Sequence, residues 1–311
     1  MQKIIPNLWF DKNAEDAVKF YVSLFPNSKA SKMTHFGKEG FEFHGMPEGT
    51  VMTIDFEMNG YKFVALNGGP VIKINPSISF FLNFDPAVDK NARNNLDAAW
   101  EKLSKDGTVL MPLDKYPFSE HYGWVQDRFG VSWQLILTNP EGEKRPFIAP
   151  SLLFVGDVCG RAEEAGQFYL SIFKNSKFGY AARYPKGMDP DKEGTIMFSD
   201  FNLEGQWFAA MDSAHEHNFA FNEGISFIIN CDSQQEVDYY WEKLISDGGQ
   251  ESMCGWLKDK FGVSWQVIPT EMFKYLGGAE KEKCSRAMNA MLQMKKIDLN
   301  TLKKAYSKTQ G

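Results

Sequence analysis

Cysteine, histidine and long apolar runs are all scarce in this sequence, and each scarcity excludes something. Only four cysteines occur in 311 residues (Cys159, Cys231, Cys254 and Cys284), none of them before position 159. A disulfide framework would not leave one half of the chain bare, so reduced thiols and a cytoplasmic location are expected. No stretch approaches the ~18 uninterrupted apolar residues of a membrane span, and no apolar targeting segment is readable at the start. Basic charge is short as well: 34 Lys and Arg against 40 Asp and Glu leave a net charge of −6. Phosphate neutralisation needs a basic face, so neither nucleic acid nor membrane is an expected partner. Five histidines are available, His35, His44, His121, His215 and His217. Of these, His215-x-His217 reads either as a two-ligand site or as an exposed hairpin pair. No Gly-x-Gly-x-x-Gly turn, Walker A sequence or Gly-x-Ser-x-Gly elbow occurs, which removes the usual signatures of nucleotide binding and of a serine nucleophile.

What is abundant is aromatic. Phe, Trp and Tyr make up 14% of the chain and hydrophobic residues 43%, enough for packed cores in two ordinary domains. Five blocks of sequence also recur in the same order. Phe20-Tyr21-x-Ser23-x-Phe25-x-Asn27-Ser28-Lys29 returns as Phe168-Tyr169-x-Ser171-x-Phe173-x-Asn175-Ser176-Lys177. Thr50-x-Met52-x-x-Asp55-Phe56 returns at Thr195–Phe201, Ile78-Ser79-Phe80 at Ile225–Phe227, and Trp100–Leu103 at Trp241–Leu244. The longest block, Gly123-Trp124-x-x-Asp127-x-Phe129-Gly130-Val131-Ser132-Trp133-Gln134, returns at Gly255–Gln266. The second copy lacks nine residues corresponding to Leu113–His121.

Each copy reads as strand, helix and three strands, twice over. Ile4–Phe10 alternates as a strand, and Ala14, Ala17, Val18, Tyr21, Leu24 and Phe25 share one helical face with Asp11 or Asn13 as cap. Val51–Met58 and Tyr61–Leu66 form a hairpin across Asn59-Gly60, because both central positions of a type I′ turn need positive φ. A strand over Ser77–Phe84 precedes a helix opened by Asp85-Pro86, and strands near Thr108–Met111, Tyr122–Gln126 and Ser132–Leu137 complete the half. Proline and charge over Asn139–Pro150 mark a linker. The spacing divides the chain into 1–140, a linker at 141–149, 150–275 and a C-terminal helical tail over 276–311. Within that tail, Ala279–Met294 and Leu299–Ser307 are the helices, the second capped by Asp298.

The fold class expected is α+β: four βαβββ modules forming two cup-shaped mixed sheets with helices outside. Strand alternation then directs side chains. Trp133, Leu135 and Leu137 suit the core, leaving Gln134 in a cup, and the same parity turns Asp55 inward; the second copy supplies Gln266 and Asp200. A carboxylate and an amide in an apolar concavity mark either a ligand site or a buried network. Trp124 and Trp256 are pocket walls or plain core aromatics. Asp127-x-Phe129-Gly130 and Asp259-x-Phe261-Gly262 read as turn chemistry.

The run Cys254–Pro269, with Asn218–Phe227 and Ala65-Leu66-Asn67-Gly68-Gly69-Pro70, resembles PhnB-like proteins of the glyoxalase/bleomycin-resistance (vicinal oxygen chelate) superfamily. The resemblance covers nearly all of residues 4–275. Members are often labelled 3-demethylubiquinone-9 3-methyltransferase, and the superfamily includes glyoxalase I, extradiol dioxygenases and antibiotic-binding proteins. It implies His on the first strand of a domain, His on the strand opening its second module, and Glu on the last. Here those positions fall on Pro6, near Ser77 and on Gln134, and then on about Pro150, Gly224 and Gln266. Neutral amides and hydroxyls are poor ligands for Zn²⁺ or Fe²⁺. No metal site and no cofactor are therefore expected.

Two functions remain open. One is a small-molecule binder using Trp9, Asn67, Phe118, His121, Trp124 and Trp256 with Asp55, Gln134, Asp200 and Gln266 as polar anchors. The other is an enzyme on a small organic substrate, with Asp55 or Asp200 as acid/base. The fused halves are expected to pair as an intramolecular pseudo-dimer, further self-association being open. Leu113–His121 reads either as a lid over the first cup or as a surface loop.

Overall fold

In the computed structural model, which describes residues 2–308, the chain builds sixteen strands and eight α-helices. The first module runs β1 (Ile4–Phe10), α1 (Ala14–Val22), β2 (Lys29–His35), the short α2 (Phe41–His44), β3 (Val51–Met58) and β4 (Tyr61–Asn67). The second runs β5 (Ile78–Phe84), α3 (Ala92–Ser104), β6 (Thr108–Tyr116), β7 (Ser119–Gln126) and β8 (Ser132–Leu137). The third is β9 (Ile148–Phe154), α4 (Ala162–Ile172), β10 (Lys177–Arg183), β11 (Ile196–Leu203) and β12 (Gln206–Asp212). The fourth is β13 (Ile225–Cys231), α5 (Gln234–Ile245), β14 (Gln250–Glu251), β15 (Trp256–Lys258) and β16 (Ser264–Pro269). A tail follows, with α6 (Phe273–Leu276), α7 (Lys281–Leu292) and α8 (Leu299–Ser307). Residues 309–311 of the expected tail and the first residue of the chain lie outside the described part.

The sheets cut across the repeats. The first has the order β14-β15-β16-β13-β1-β4-β3-β2 and joins modules one and four; the second, β10-β11-β12-β9-β5-β8-β7-β6, joins modules two and three. Each sheet is thus half from each copy, which is the pseudo-dimer realised within one chain. The junctions are antiparallel, β1 on β13 and β5 on β9. The chain crosses between sheets in the connections 68–77 and 213–224, and these clasp each other reciprocally. Asn75 Nδ2 donates to the Ala220 carbonyl and Asn222 Nδ2 to the Lys73 carbonyl, each at 2.9 Å.

Helices α1 and α5 pack on the convex face of the first sheet, and α3 and α4 on that of the second. The convex faces meet in one continuous core. Aromatic rings cross directly between them, Phe63 against Phe80 at 5.2 Å and Phe208 against Phe227 at 5.4 Å. Burying each such ring is worth roughly 1.5–3 kcal/mol, so this shared core itself holds the two sheets together.

Several local expectations change. Asn13 stands at the N-cap of α1 but its side chain caps nothing; Asn67 Oδ1 on β4 accepts from Ala14 N at 2.9 Å instead. Helix α3 begins at Ala92 rather than at Pro86, because Asp85 and Asp89 fold the intervening residues into turns by accepting from Ala87 N and Asn91 N. Pro150 is not in a linker but inside β9, opposite Phe80. Leu113–His121 is neither lid nor loose loop: β6 and β7 continue through it as a long hairpin with Pro117-Phe118 at the tip. The Asn59-Gly60 turn has the expected positive φ at both positions, 48° and 79°.

Candidate functional site

Alternation along the central strands decides which polar groups face each concavity. Across the second sheet one register row reads Gln126, Ser132, Ser79, Ser151, Ala209, Asp200. The corresponding row of the first sheet is Lys258, Ser264, Ser226, Asn7, Val64, Asp55. Pro6 and Pro150 lie one residue off these rows, with their side chains on the core side, so the concave residues of the first strands are Asn7 and Ser151. On the strand opening the second module the row passes through Ser79, whereas Ser77 precedes the strand in a turn.

The pairing expected from the repeat is therefore corrected. Asp55 and Gln134 do not share a cup. Asp55, Gln266, Trp9 and Trp256 belong to the first sheet; Asp200, Gln134, Trp124 and Phe118 belong to the second. Two candidates leave the cups altogether. Asn67 is spent at the start of α1, accepting from Ala14 N and donating to Glu15 and to the Val51 carbonyl. His121 turns to the convex side and pairs with Asp97 on α3.

In the first sheet Gln266 Nε2 donates to Ser226 Oγ at 3.0 Å and Asn7 Nδ2 to the same oxygen at 3.3 Å, while Ser264 Oγ in the same row has no partner. Trp9 meets Trp256 edge to face at 6.0 Å and donates through Nε1 to the Gly69 carbonyl. The Asp55 carboxyl has a raised pKa, chiefly because burial disfavours its charge, with Lys32 and Lys62 opposing. The tail then covers this concavity. Ile228 and Ile268 pack with Met291, Met294, Ile297 and Leu302. Backbone bonds of 2.7 Å from Cys254 N to the Met294 carbonyl and from Gly255 N to the Lys295 carbonyl anchor the segment. Asp298 caps α8 by accepting from Thr301 N, as its sequence suggested.

The second concavity has no such cover among the described residues. It is lined by a buried hydrophobic cluster of Phe81, Tyr122, Ala149 and Ala209, flanked by the partly buried Met111, Tyr116, Trp124, Ile136, Phe198, Trp207 and Met211. Gln134, 1% exposed, accepts from Tyr122 Oη at 2.6 Å and donates to Ser79 Oγ at 2.9 Å. Burial raises the pKa of Tyr122, so the phenol stays protonated and donates. Trp124 Nε1 donates to Ser132 Oγ at 2.8 Å. At the rim Phe118, 61% exposed, stacks on Tyr116 and meets Tyr122 edge to face. At the opposite end Asp200 accepts from Arg145 Nε and from Tyr180 N, both at 2.7 Å, while the Arg145 guanidinium lies 3.8 Å over Trp207. Arg145 and Trp207 gave no sequence signal: one lies in a connection, and the other looks like any strand aromatic.

Neither concavity fits the divalent metal that the superfamily resemblance implies. The central strands offer serine hydroxyls and amides, neutral groups that hold Zn²⁺ or Fe²⁺ poorly. No group of three or more His, Cys, Asp or Glu among the described residues is placed to hold a metal ion. The buried carboxylates Asp127 and Asp259 serve the fold instead. Asp127 accepts from Tyr21 Oη, Trp133 Nε1, Phe129 N and Val131 N, and Asp259 has the equivalent four donors.

Similarity to known proteins agrees with this architecture. Over 86% of this chain and 90% of its own, glyoxalase I of Zea mays superposes with a TM-score of 0.51 at 12% identity, a likeness of fold alone. The PhnB protein of Bacillus cereus, described as a 3-demethylubiquinone-9 3-methyltransferase, is 34% identical. It aligns over 44% of this chain and all of its own, with a TM-score of 0.39. No curated protein matches the chain significantly. The model of the 3-demethylubiquinone-9 3-methyltransferase family matches residues 2–136 and again 146–268. The chain therefore belongs to the 3-demethylubiquinone-9 3-methyltransferase (PhnB-like) family, and carries its unit twice.

Proposed function

We propose that the protein binds a small organic molecule, and that the binding site is the concavity of the second sheet, between modules two and three. The observation that carries this reading is an asymmetry. Two pseudo-equivalent concavities exist, and the chain's own tail packs into one of them, while the other is lined by aromatic side chains and a few fixed polar groups without such a cover among the described residues. Such a surface is what small-molecule sites offer. An enzymatic role through Asp200 has less support, since both its oxygens are engaged by Arg145 and Tyr180 N. Asp55 lies in the sheet that the tail covers.

Native mass spectrometry of protein purified without heating or organic solvent tests the reading. A small-molecule adduct is expected, and Ala209→Phe, which adds bulk to the floor of the second concavity, should remove it. Val64→Phe, at the equivalent place in the first sheet, should leave it. Loss of the adduct only in the Val64 variant would assign the site to the wrong sheet.

A further inference from the structure

The floor of the second concavity contains a polar group that the fold itself does not use. Ser151 is 1% exposed, and its Oγ has no hydrogen-bond partner. Its neighbours in the row narrow what could satisfy it. Ser79 Oγ already accepts from Gln134 Nε2, leaving its own hydrogen without an acceptor among the described residues. Gln134 Oε1 already accepts from Tyr122 Oη, and its second amide N–H has no acceptor among the described residues. Ser79 and Ser151 face each other in the register, so unused donor hydrogens of Ser79, Ser151 and Gln134 lie on neighbouring strands of this floor, while the amide oxygen there already holds one donor. In the first sheet the position of Ser151 is held by Asn7, which donates to Ser226 Oγ, and the unpartnered hydroxyl of that row is instead Ser264, two strands away on β16. The small pair Ser151 and Ala209 stands where the first sheet has Asn7 and Val64.

Above this spot Phe81 and Phe198 meet edge to face at 6.0 Å. They come from β5 and β11, which have β9 and β12 between them. Strands spaced ~4.8 Å apart put β5 and β11 roughly 14 Å apart, so the rings lean over the serine row as a roof. A buried hydroxyl without a partner destabilises the free protein, and a guest that slides between the rings could satisfy it.

Resting on the reading of this concavity as a ligand site, we infer that the ligand is an aromatic or similarly planar molecule bearing a neutral carbonyl. The carbonyl oxygen would accept from Ser151 and Ser79 beneath the Phe81–Phe198 pair. A carboxylate fits less well. Arg145, over Trp207 at the end of this concavity, is committed to Asp200 and Glu143, so pairing it with a buried anion would break those bridges.

Four probes of nearly equal size separate the possibilities: acetophenone, benzoate, benzylammonium and ethylbenzene, titrated by ligand-observed NMR against the full chain. Acetophenone should bind at least tenfold more tightly than the other three. Ser151→Ala should erase most of that preference while raising the melting temperature of the free protein, and Asn7→Ala should leave the preference intact. Equal affinity for acetophenone and ethylbenzene overturns the inference but leaves the concavity as an apolar site. Tighter binding of benzoate or benzylammonium overturns the neutral carbonyl. Should none of the four bind at millimolar concentration, the inference falls together with the reading on which it rests.

Discussion

The paired buried aspartates make the stability of this protein depend on pH in an unusual direction. Burial raises the carboxyls of Asp127 and Asp259 from 3.8 to about 6, against the pull of four hydrogen bonds each. Because the folded pKa lies above the unfolded one, the folded state holds its proton to higher pH. The associated stability is complete below pH 3.8 and is lost as pH rises through about 6. Going from pH 7 to pH 5 should therefore stabilise the fold by about 1 kcal/mol per site, or roughly 2–3 kcal/mol for both together. Most surface carboxylates contribute little in this window. Glu164, for example, is held at about 2 by Arg161 and Lys260 and stays ionised throughout. His217, whose pKa burial lowers, works in the opposite sense, so a comparison with variants is needed. Urea unfolding at pH 5, 6 and 7 of wild type, Asp127→Asn, Asp259→Asn and the double variant supplies it. Each substitution should lower stability by about 1–3 kcal/mol, since Trp133 or Trp265 Nε1 loses its acceptor, and should flatten the pH dependence by about 1 kcal/mol. If the double variant keeps the wild-type slope, the aspartates are not the titrating groups and the reasoning fails.

Three further outcomes can be checked. Truncation after Gly277 removes α7 and α8 from Ile228 and Ile268, and should destabilise the protein by several kcal/mol and increase binding of a hydrophobic dye; an unchanged melting temperature would mean that the tail does not pack as described. Separately expressed 1–140 and 147–311 should associate when mixed, because each sheet takes four strands from each half; two inert, monomeric species in a sedimentation experiment would contradict the topology. Metal analysis of protein purified without chelator should find well under one equivalent of Zn, Fe, Ni or Mn per chain, and stoichiometric metal held through Gln134 or Gln266 would reverse that expectation.

The repeat, the strand alternation and the Asn59-Gly60 turn were legible because they are local: period two, period 3.6 and positive φ leave marks within a few residues. Some elements leave no such mark. Strand β2 is almost wholly exposed, so its sequence Lys29–His35 lacks an apolar face, and only its pairing with β3 makes it a strand. Asp85-Pro86 carries a good helix-start signal, yet two aspartate turns take up the residues before Ala92. Asn67 and His121 have the right chemistry for a ligand and sit on ladders that point them at helices.

Sequence alone thus determined that the chain is a duplicated α+β unit with Gln134, Asp200, Asp55 and Gln266 facing concavities, since parity along one strand needs no partner to define it. Which of these residues share a concavity was decided by tertiary structure, because β1 pairs with β13 and β5 with β9, contacts separated by long stretches of chain. The repeat made modules one and two look like one cup, whereas the pairing of edges joined one with four and two with three. The same long-range step carried the tail onto Ile228 and Ile268 and left Ser151 unpaired beneath Phe81 and Phe198, a difference between two halves that their similar sequences do not announce.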